Sequence, residues 1–224
     1  MRPWRHYVFR TGVTTRTTWK FRVVAAVVLV LAVFLTRGLW GPQIARSLLC
    51  TEDLSSSDAI LIENFDPGYP LFQSAAALQQ KGLAPRIFVP VEALLDTGAE
   101  NPFARGLADL MAQYARLQDW KAIPFKEIEP ISLNAAAQIR DELLADHIRS
   151  VIVVTPGSRS RRSALVYRTV LGGAGIRVHC HPVYLKPPER WADTWHGMQD
   201  IAQQFLKLQY YRFYILPFFS RSPR

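Results

Sequence analysis

The hydrophobic pattern divides the chain into an apolar N-terminal stretch and a body in which short apolar runs alternate with helix-forming segments. Residues 23–36 read VVAAVVLVLAVFLT, and Trp19, Phe21, Leu39 and Trp40 lengthen the apolar reach on both sides. This composition predicts one membrane-spanning helix over 19–40, with tryptophans at headgroup level and Arg22 and Arg37 extended outward. Gly41-Pro42 predicts where that helix stops. From residue 59 the pattern changes. Runs at 59–63, 86–91, 122–127, 150–155 and 176–180 have strand length, and 70–81, 103–118, 132–146, 160–171 and 192–211 have helical composition. The alternation predicts an α/β fold: a doubly wound three-layer sandwich on a mostly parallel five-stranded sheet, with right-handed crossovers.

The expected organisation is a basic N-terminus over 1–18, the anchor over 19–40, a linker over 41–57, the α/β domain over 58–211 and an aromatic, basic tail over 212–224. The tail region, with Tyr210, Tyr211, Phe213, Tyr214, Phe218, Phe219, Arg212, Arg221 and Arg224, suits a bilayer interface and packing against the domain equally.

Charge changes the picture once it is located. The formal net charge is +9, but the first 40 residues hold seven Lys or Arg and no carboxylate, so the body is close to neutral. A nucleic-acid partner is therefore not expected, because its basic surface would lie on the folded domain. Arg2, Arg5, Arg10, Arg16, Lys20 and Arg22 precede the apolar stretch, and only Arg37 and Arg46 follow it before Glu52 and Asp53. The positive-inside rule places the N-terminus in the cytoplasm and the domain in the periplasm or outside the cell, as a single-pass protein of a bacterial inner membrane. A cleaved signal peptide is the alternative, since the apolar core has the length of a signal h-region. Cys50 and Cys180 have neither metal spacing nor the density of a disulfide framework, and both a disulfide and two buried thiols fit the pattern.

Ligands of open α/β sheets bind beyond the carboxyl ends of the strands. The richest such end is Thr155-Pro156-Gly157-Ser158-Arg159-Ser160-Arg161-Arg162-Ser163, where no Asp or Glu occurs from Val151 through Pro188. Arginines in the first turn of a helix add to a macrodipole that already disfavours cations, so Thr155, Gly157, Ser158, Arg159, Arg161 and Arg162 are expected to hold an anion, with Asn64 and Asn134 as further contacts. Glu63, Asp66 and Glu129 lie at neighbouring strand ends and are the candidate catalytic carboxylates. Pairing of Glu63, Asp66, Glu127 or Glu129 with the arginines as a fixed ionic network is the competing expectation. The loop is not a Walker A sequence, Ser158, Ser160 and Ser163 lack a nucleophile elbow, and Gly172-Gly173-Ala174-Gly175 reads as a helix stop before a strand. His179, His181 and His196 lack metal spacing, so no metal site is expected.

With those segments in view, the body over 58–184 resembles the YdcF/SanA/ElyC family, a bacterial domain of unassigned function. The resemblance rests on the Asp58 to Ile62 strand, the helix with Ala75, Ala76, Ala77, Leu78 and Gly82, the Glu129-x-x-Ser132-x-Asn134-Ala135 segment, and Val153-Val154-Thr155 followed by Arg161-Arg162. It implies a Rossmann-like domain outside the cytoplasm behind one membrane helix. It further implies a role in the cell envelope, with wall or polysaccharide precursors on polyprenyl phosphate as the ligand class and envelope-assembly proteins as partners. Glu129, Asn134 and Arg162 match the family motifs best, and Thr155 is a less specific match. The family's Gly-rich loop after the first strand is replaced by Glu63-Asn64-Phe65-Asp66, and the His common in its fourth loop by Arg159. An envelope enzyme, a non-catalytic assembly factor and a purely structural module all remain compatible with these residues.

Overall fold

The computed structural model describes residues 18–52, 54–65, 68–94, 96–184 and 187–219. The chain forms two compact units, 1–40 and 41–224. In the first, helix α1 (Trp19–Leu35) is apolar apart from Lys20 and Arg22, and no residue of it is buried. It ends at Thr36, whose hydroxyl donates to the Ala32 carbonyl (2.7 Å), while the Trp40 indole N–H donates to the Val33 carbonyl (3.1 Å). Among the described residues no single helix is long and apolar enough to cross a membrane. α1 meets the criteria of length and composition only together with the next helix, α2 (Arg37–Ser47).

Gly41-Pro42 therefore does not stop a helix: Pro42 lies inside α2, and the break falls at Thr36 instead. The carbonyl that Pro42 would crowd belongs to Gly38, whose backbone is free to tilt, so one lost hydrogen bond is tolerated. Nor is 41–57 a linker. Ala45 and Leu48 are buried against Ile201 and Leu208, and Cys50 is joined to Cys180 in a disulfide with Cα atoms 6.5 Å apart. Glu52 lies 2.5 Å from His181 Nδ1 and Ser55 lies 2.9 Å from His179 Nε2, so this segment is stitched onto an edge of the sheet.

The sheet is five-stranded and parallel throughout, in the order β3-β2-β1-β4-β5: β1 (Ala59–Ile62), β2 (Arg86–Glu92), β3 (Trp120–Phe125), β4 (Ser150–Pro156) and β5 (Arg177–Val183). β1 is central, with Leu61 between Phe88 and Val153, which is why its four residues are all apolar and all buried. Helices α3 (Tyr69–Gln80) and α4 (Pro102–Ala115) cover one face through Phe72, Ala75, Ala108 and Ala112. The other face is covered by α5 (Ile131–Ala145) and α6 (Ser160–Val170) through Leu133, Ile139, Val166 and Tyr167. Two helices on each face make the doubly wound sandwich.

Two strands differ from expectation by more than one residue, for identifiable reasons. β3 begins and ends two residues earlier than 122–127, because Trp120 and Lys121 pair with Ile87 and Phe88 and the chain leaves the sheet after Phe125. β5 continues past Cys180 to Val183, through a Pro182 that pairs with Thr155. An edge strand needs N–H groups on one side only, so proline is tolerated there. At the C-terminal end α7 (Trp195–Tyr210) passes through a π-helical turn at Tyr211–Ile215 into α8 (Leu216–Phe219). Tyr211 and Leu216 enter the core beneath α5 and α6, whereas Tyr210, Phe213, Tyr214 and Phe218 stay exposed.

Candidate functional site

β1 stops where β4 still has an acceptor to offer, and the chemistry begins there. The Glu63 amide donates to the Val154 carbonyl (2.9 Å), one step beyond the strand, which brings the Glu63 side chain over the end of β4. The Ser163 hydroxyl lies 2.8 and 2.7 Å from the two carboxylate oxygens, the Thr155 hydroxyl donates to Oε2, and Arg159 Nε lies 3.7 Å from that same oxygen. Glu63 is 1% exposed and Arg159 7%. This is the fixed ionic pair that an uncompensated guanidinium would otherwise lack. Glu63 is thus held by its neighbours and, sealed from solvent, does not line a cavity as a free base. Next to it, Asn64 Nδ2 donates to the Pro90 carbonyl (3.3 Å), extending the β1–β2 ladder with a side chain. Asp66 lies outside the described residues.

One helical turn below Ser163, the Tyr167 hydroxyl is buried with no hydrogen-bond partner among the described residues. Burial holds its pKa well above the usual 10.0, the Glu63 charge pushes the same way, and Arg159 and Arg162 pull against them.

The three arginines diverge. Arg161 is exposed and donates to the Ser47 carbonyl (3.0 Å), on the far side of α6 from the sheet end. Arg162, 100° further round the helix, turns inward. Its guanidinium donates to Ser132 Oγ (2.9 Å) and to Gln204 Oε1 (3.4 Å) and lies over the Tyr211 ring (5.5 Å). Its Nε is buried without a hydrogen bond, the residue is 8% exposed, and among the described residues no carboxylate stands within ion-pair distance of it.

Arg159 and Arg162 line a cavity of about 510 Å³ at the carboxyl ends of β1, β3 and β4, whose other walls include Phe65, Glu127, Glu129, Ser132, Lys207, Tyr210 and Tyr211. Glu129 is exposed at its edge, apart from the buried Glu63, so these two expected catalytic carboxylates do not share one position. Asn134 is not among the residues that line this cavity: its Nδ2 donates to the carbonyls of Ile128 and Glu129 (both 3.0 Å) and holds the β3–α5 connection that presents Glu129 and Ser132. Gly157 and Ser158 belong to a different cavity of about 300 Å³, with Tyr184, Arg190, Trp191 and Asp200. A Cβ on Gly157 would lie 2.9 Å from the Tyr184 ring, so glycine is required for that ring to close against the loop. Thr155 is fully buried, and its hydroxyl donates to Glu63.

Ser132, Gln204, Lys207 and Tyr211 are the contributors that strand-end reasoning passes over. Ser132 is part of the Glu129-to-Asn134 segment, and the i, i+4 pair Lys207 and Tyr211 is the available sign that the last helix turns a cation and an aromatic to one side. Among the described residues no group of three His, Cys, Asp or Glu is placed to hold a metal ion.

No protein-family model matches the chain, and no curated protein matches it. Among solved structures it is similar to the U34-tRNA thiolase NcsA from Methanococcus maripaludis with its 4Fe-4S cluster, at 10% sequence identity and a TM-score of 0.37 over 75% of this chain. The chain spans 64% of that protein's length, and a likeness this low carries no argument about function.

Proposed function

We propose that this chain is a YdcF-like protein of bacterial envelope biogenesis, anchored by α1, whose domain outside the cytoplasm binds a phosphate-bearing ligand in the cavity lined by Arg159 and Arg162. The observation that carries this reading is Arg162: a buried guanidinium with an unused Nε–H, facing neutral oxygens, on the wall of a cavity that Lys207 also lines. A buried cation without a carboxylate is costly, and an anion in the cavity offsets that cost with charge-assisted hydrogen bonds. Arg162 and Lys207 would contact the phosphate, Ser132 and Gln204 would orient Arg162, and Arg161 would take no part.

Three features support the membrane setting. α1 is 17 apolar-rich residues, about 26 Å at helical rise, uncovered by the rest of its unit, and reaches the length of a span together with α2. The Cys50–Cys180 disulfide suits an oxidising compartment. The exposed Tyr210, Phe213, Tyr214 and Phe218 with Arg212 have interfacial chemistry and continue the segment that walls the cavity, which would bring a lipid-borne phosphate to its mouth.

A non-catalytic assembly factor is the second reading, and Glu63 favours it. Among the described residues, the carboxylate paired with Arg159 is committed also to Ser163 and Thr155, and Glu127 and Glu129 are the carboxylates that line the cavity.

The test is a thermal-shift titration of the full-length protein in detergent with a polyprenyl monophosphate and with the matching uncharged polyprenol. Stabilisation by the phosphate alone, weakened at least tenfold in Arg162→Ala, is expected. An equal response to both lipids, or Arg162→Ala binding like the parent, would overturn the site. Recovery of polyprenyl-linked sugar precursors unchanged after incubation favours the assembly factor, and their consumption favours an enzyme. A reporter fused after Arg224 should be active outside the cytoplasm; activity inside would remove the anchor from the proposal.

A further inference from the structure

We infer that the outward face of α4 is the surface through which two copies of this chain pair about a two-fold axis. Asn101 caps α4 by accepting from the Phe103 amide (3.0 Å), and Ala108, Ala112 and Ala115 bury its inner side. The opposite side presents Phe103, Gly106, Leu110, Gln113 and Tyr114. Phe103 is 82% exposed, Tyr114 70% and Leu110 49%. A surface helix usually carries its charges outward. Here they stand on the flank, where Arg105 is bound to Asp109 (3.1 Å) and to Glu100 (3.1 Å), and the outermost strip has none. Single exposed apolar residues need no explanation, but a continuous uncharged stripe marks a contact surface.

Gly106 adds an independent observation. It lies in the middle of the stripe and of the helix, where glycine is the poorest helix former after proline. A Cβ there would meet nothing within 4 Å, so packing inside the chain does not require the glycine. Close approach of a second helix backbone does.

The chemistry of the stripe selects its occupant. A helix that lies on a bilayer surrounds its apolar face with Lys and Arg, as the C-terminal segment does with Arg212, whereas Arg105 on the flank of the α4 stripe is tied to Asp109 and Glu100. A second copy fits because the face holds both a projection and its receptacle. Tyr69, Leu107, Leu110, Met111 and Tyr114 line an apolar groove of about 410 Å³, and Phe103 stands outside it. Phe103 precedes Leu110 by seven residues, about 10.5 Å along the helix. Antiparallel pairing of two α4 helices inserts each Phe103 into the other's groove and brings the Gly106 residues near the crossing, the self-complementary arrangement that a two-fold contact requires.

Sedimentation equilibrium of the full-length protein in density-matched detergent tests this. The parent is expected to be dimeric, and Phe103→Glu and Leu110→Glu to weaken the dimer at least tenfold with unchanged circular dichroism. Gly106→Leu is expected to weaken the dimer while raising the melting temperature of the monomer, which separates loss of contact from loss of fold. A parent that stays monomeric at every concentration, or a dimer that survives all three substitutions, overturns the inference.

Discussion

The backbone N–H of Arg161 donates to the carbonyl oxygen of Leu48 at 2.8 Å, and the Cys50 amide in turn donates to Ser160 Oγ at 3.0 Å. The entrance of α6 is thereby capped by a segment more than a hundred residues earlier in the chain, and the first-turn donors that make a helix N-terminus attractive to anions are in part already used. The Cys50–Cys180 bond, spanning 130 positions, keeps that cap in place. Closing so long a loop stabilises chiefly at the expense of the unfolded chain, so the Cys50→Ser, Cys180→Ser double variant should lose about 2–4 kcal/mol. Urea unfolding with and without reductant measures this. Coincident midpoints for parent and variant would show that the cap holds without the bond.

Glu63 is expected to be a stability residue. Its carboxylate and Arg159 are both nearly inaccessible, and replacing Glu63 takes this buried ion pair from the guanidinium. Glu63→Gln keeps the shape and should cost about 3 kcal/mol of unfolding free energy. An unfolding midpoint equal to that of the parent would mean that Arg159 draws its compensation from elsewhere.

Tyr167 gives the opposite sign. Its hydroxyl is buried without a partner among the described residues, so Tyr167→Phe removes a desolvated polar group and leaves the packing of the ring intact. The substitution should stabilise by about 1 kcal/mol, seen as a higher melting temperature. A lower one would reveal a hydrogen bond to the hydroxyl.

Asp58 makes stability depend on acid. The Arg149 amide, then the Ser150 hydroxyl and amide and the charge of Arg177, hold its pKa below the usual 3.8 against the opposing effect of burial. A depressed folded pKa contributes stability that is present above 3.8 and lost as pH falls through the folded value. Asp58→Asn should lower stability at neutral pH and flatten the decline at acid pH. Unfolding free energies measured from pH 6 to about 2 give the two curves, and parallel curves would dismiss the effect.

The five strands were legible because buried parallel strands are continuous apolar runs, and β1 and β4 announce themselves in that way. Helix boundaries were legible to within a few residues where a cap stood nearby, as Asn101 does before α4. The site was only half legible. Arg159 and Arg162 do meet at the strand ends, but residues 161 and 162 are successive on a helix and stand 100° apart, so a run of arginines does not converge on one ligand. The pairing of Glu63 with Ser163 and Arg159, and the arrival of Lys207 and Tyr211 from the last helix, depend on contacts between residues far apart in the chain. Segment 41–57 looked like a linker because its apolar residues are few. Ala45, Leu48 and Cys50 suffice to bury it once α7 and β5 supply the other half of the contact.

The position of β1 in the middle of the sheet has a consequence for the newly made chain. Its first neighbour, β2, follows soon after, but β4 is synthesised only when α3, β2, α4, β3 and α5 are complete. Until then one edge of the most apolar strand stands open, a template for mispairing and aggregation. Closure of that edge therefore waits on the arrival of β4.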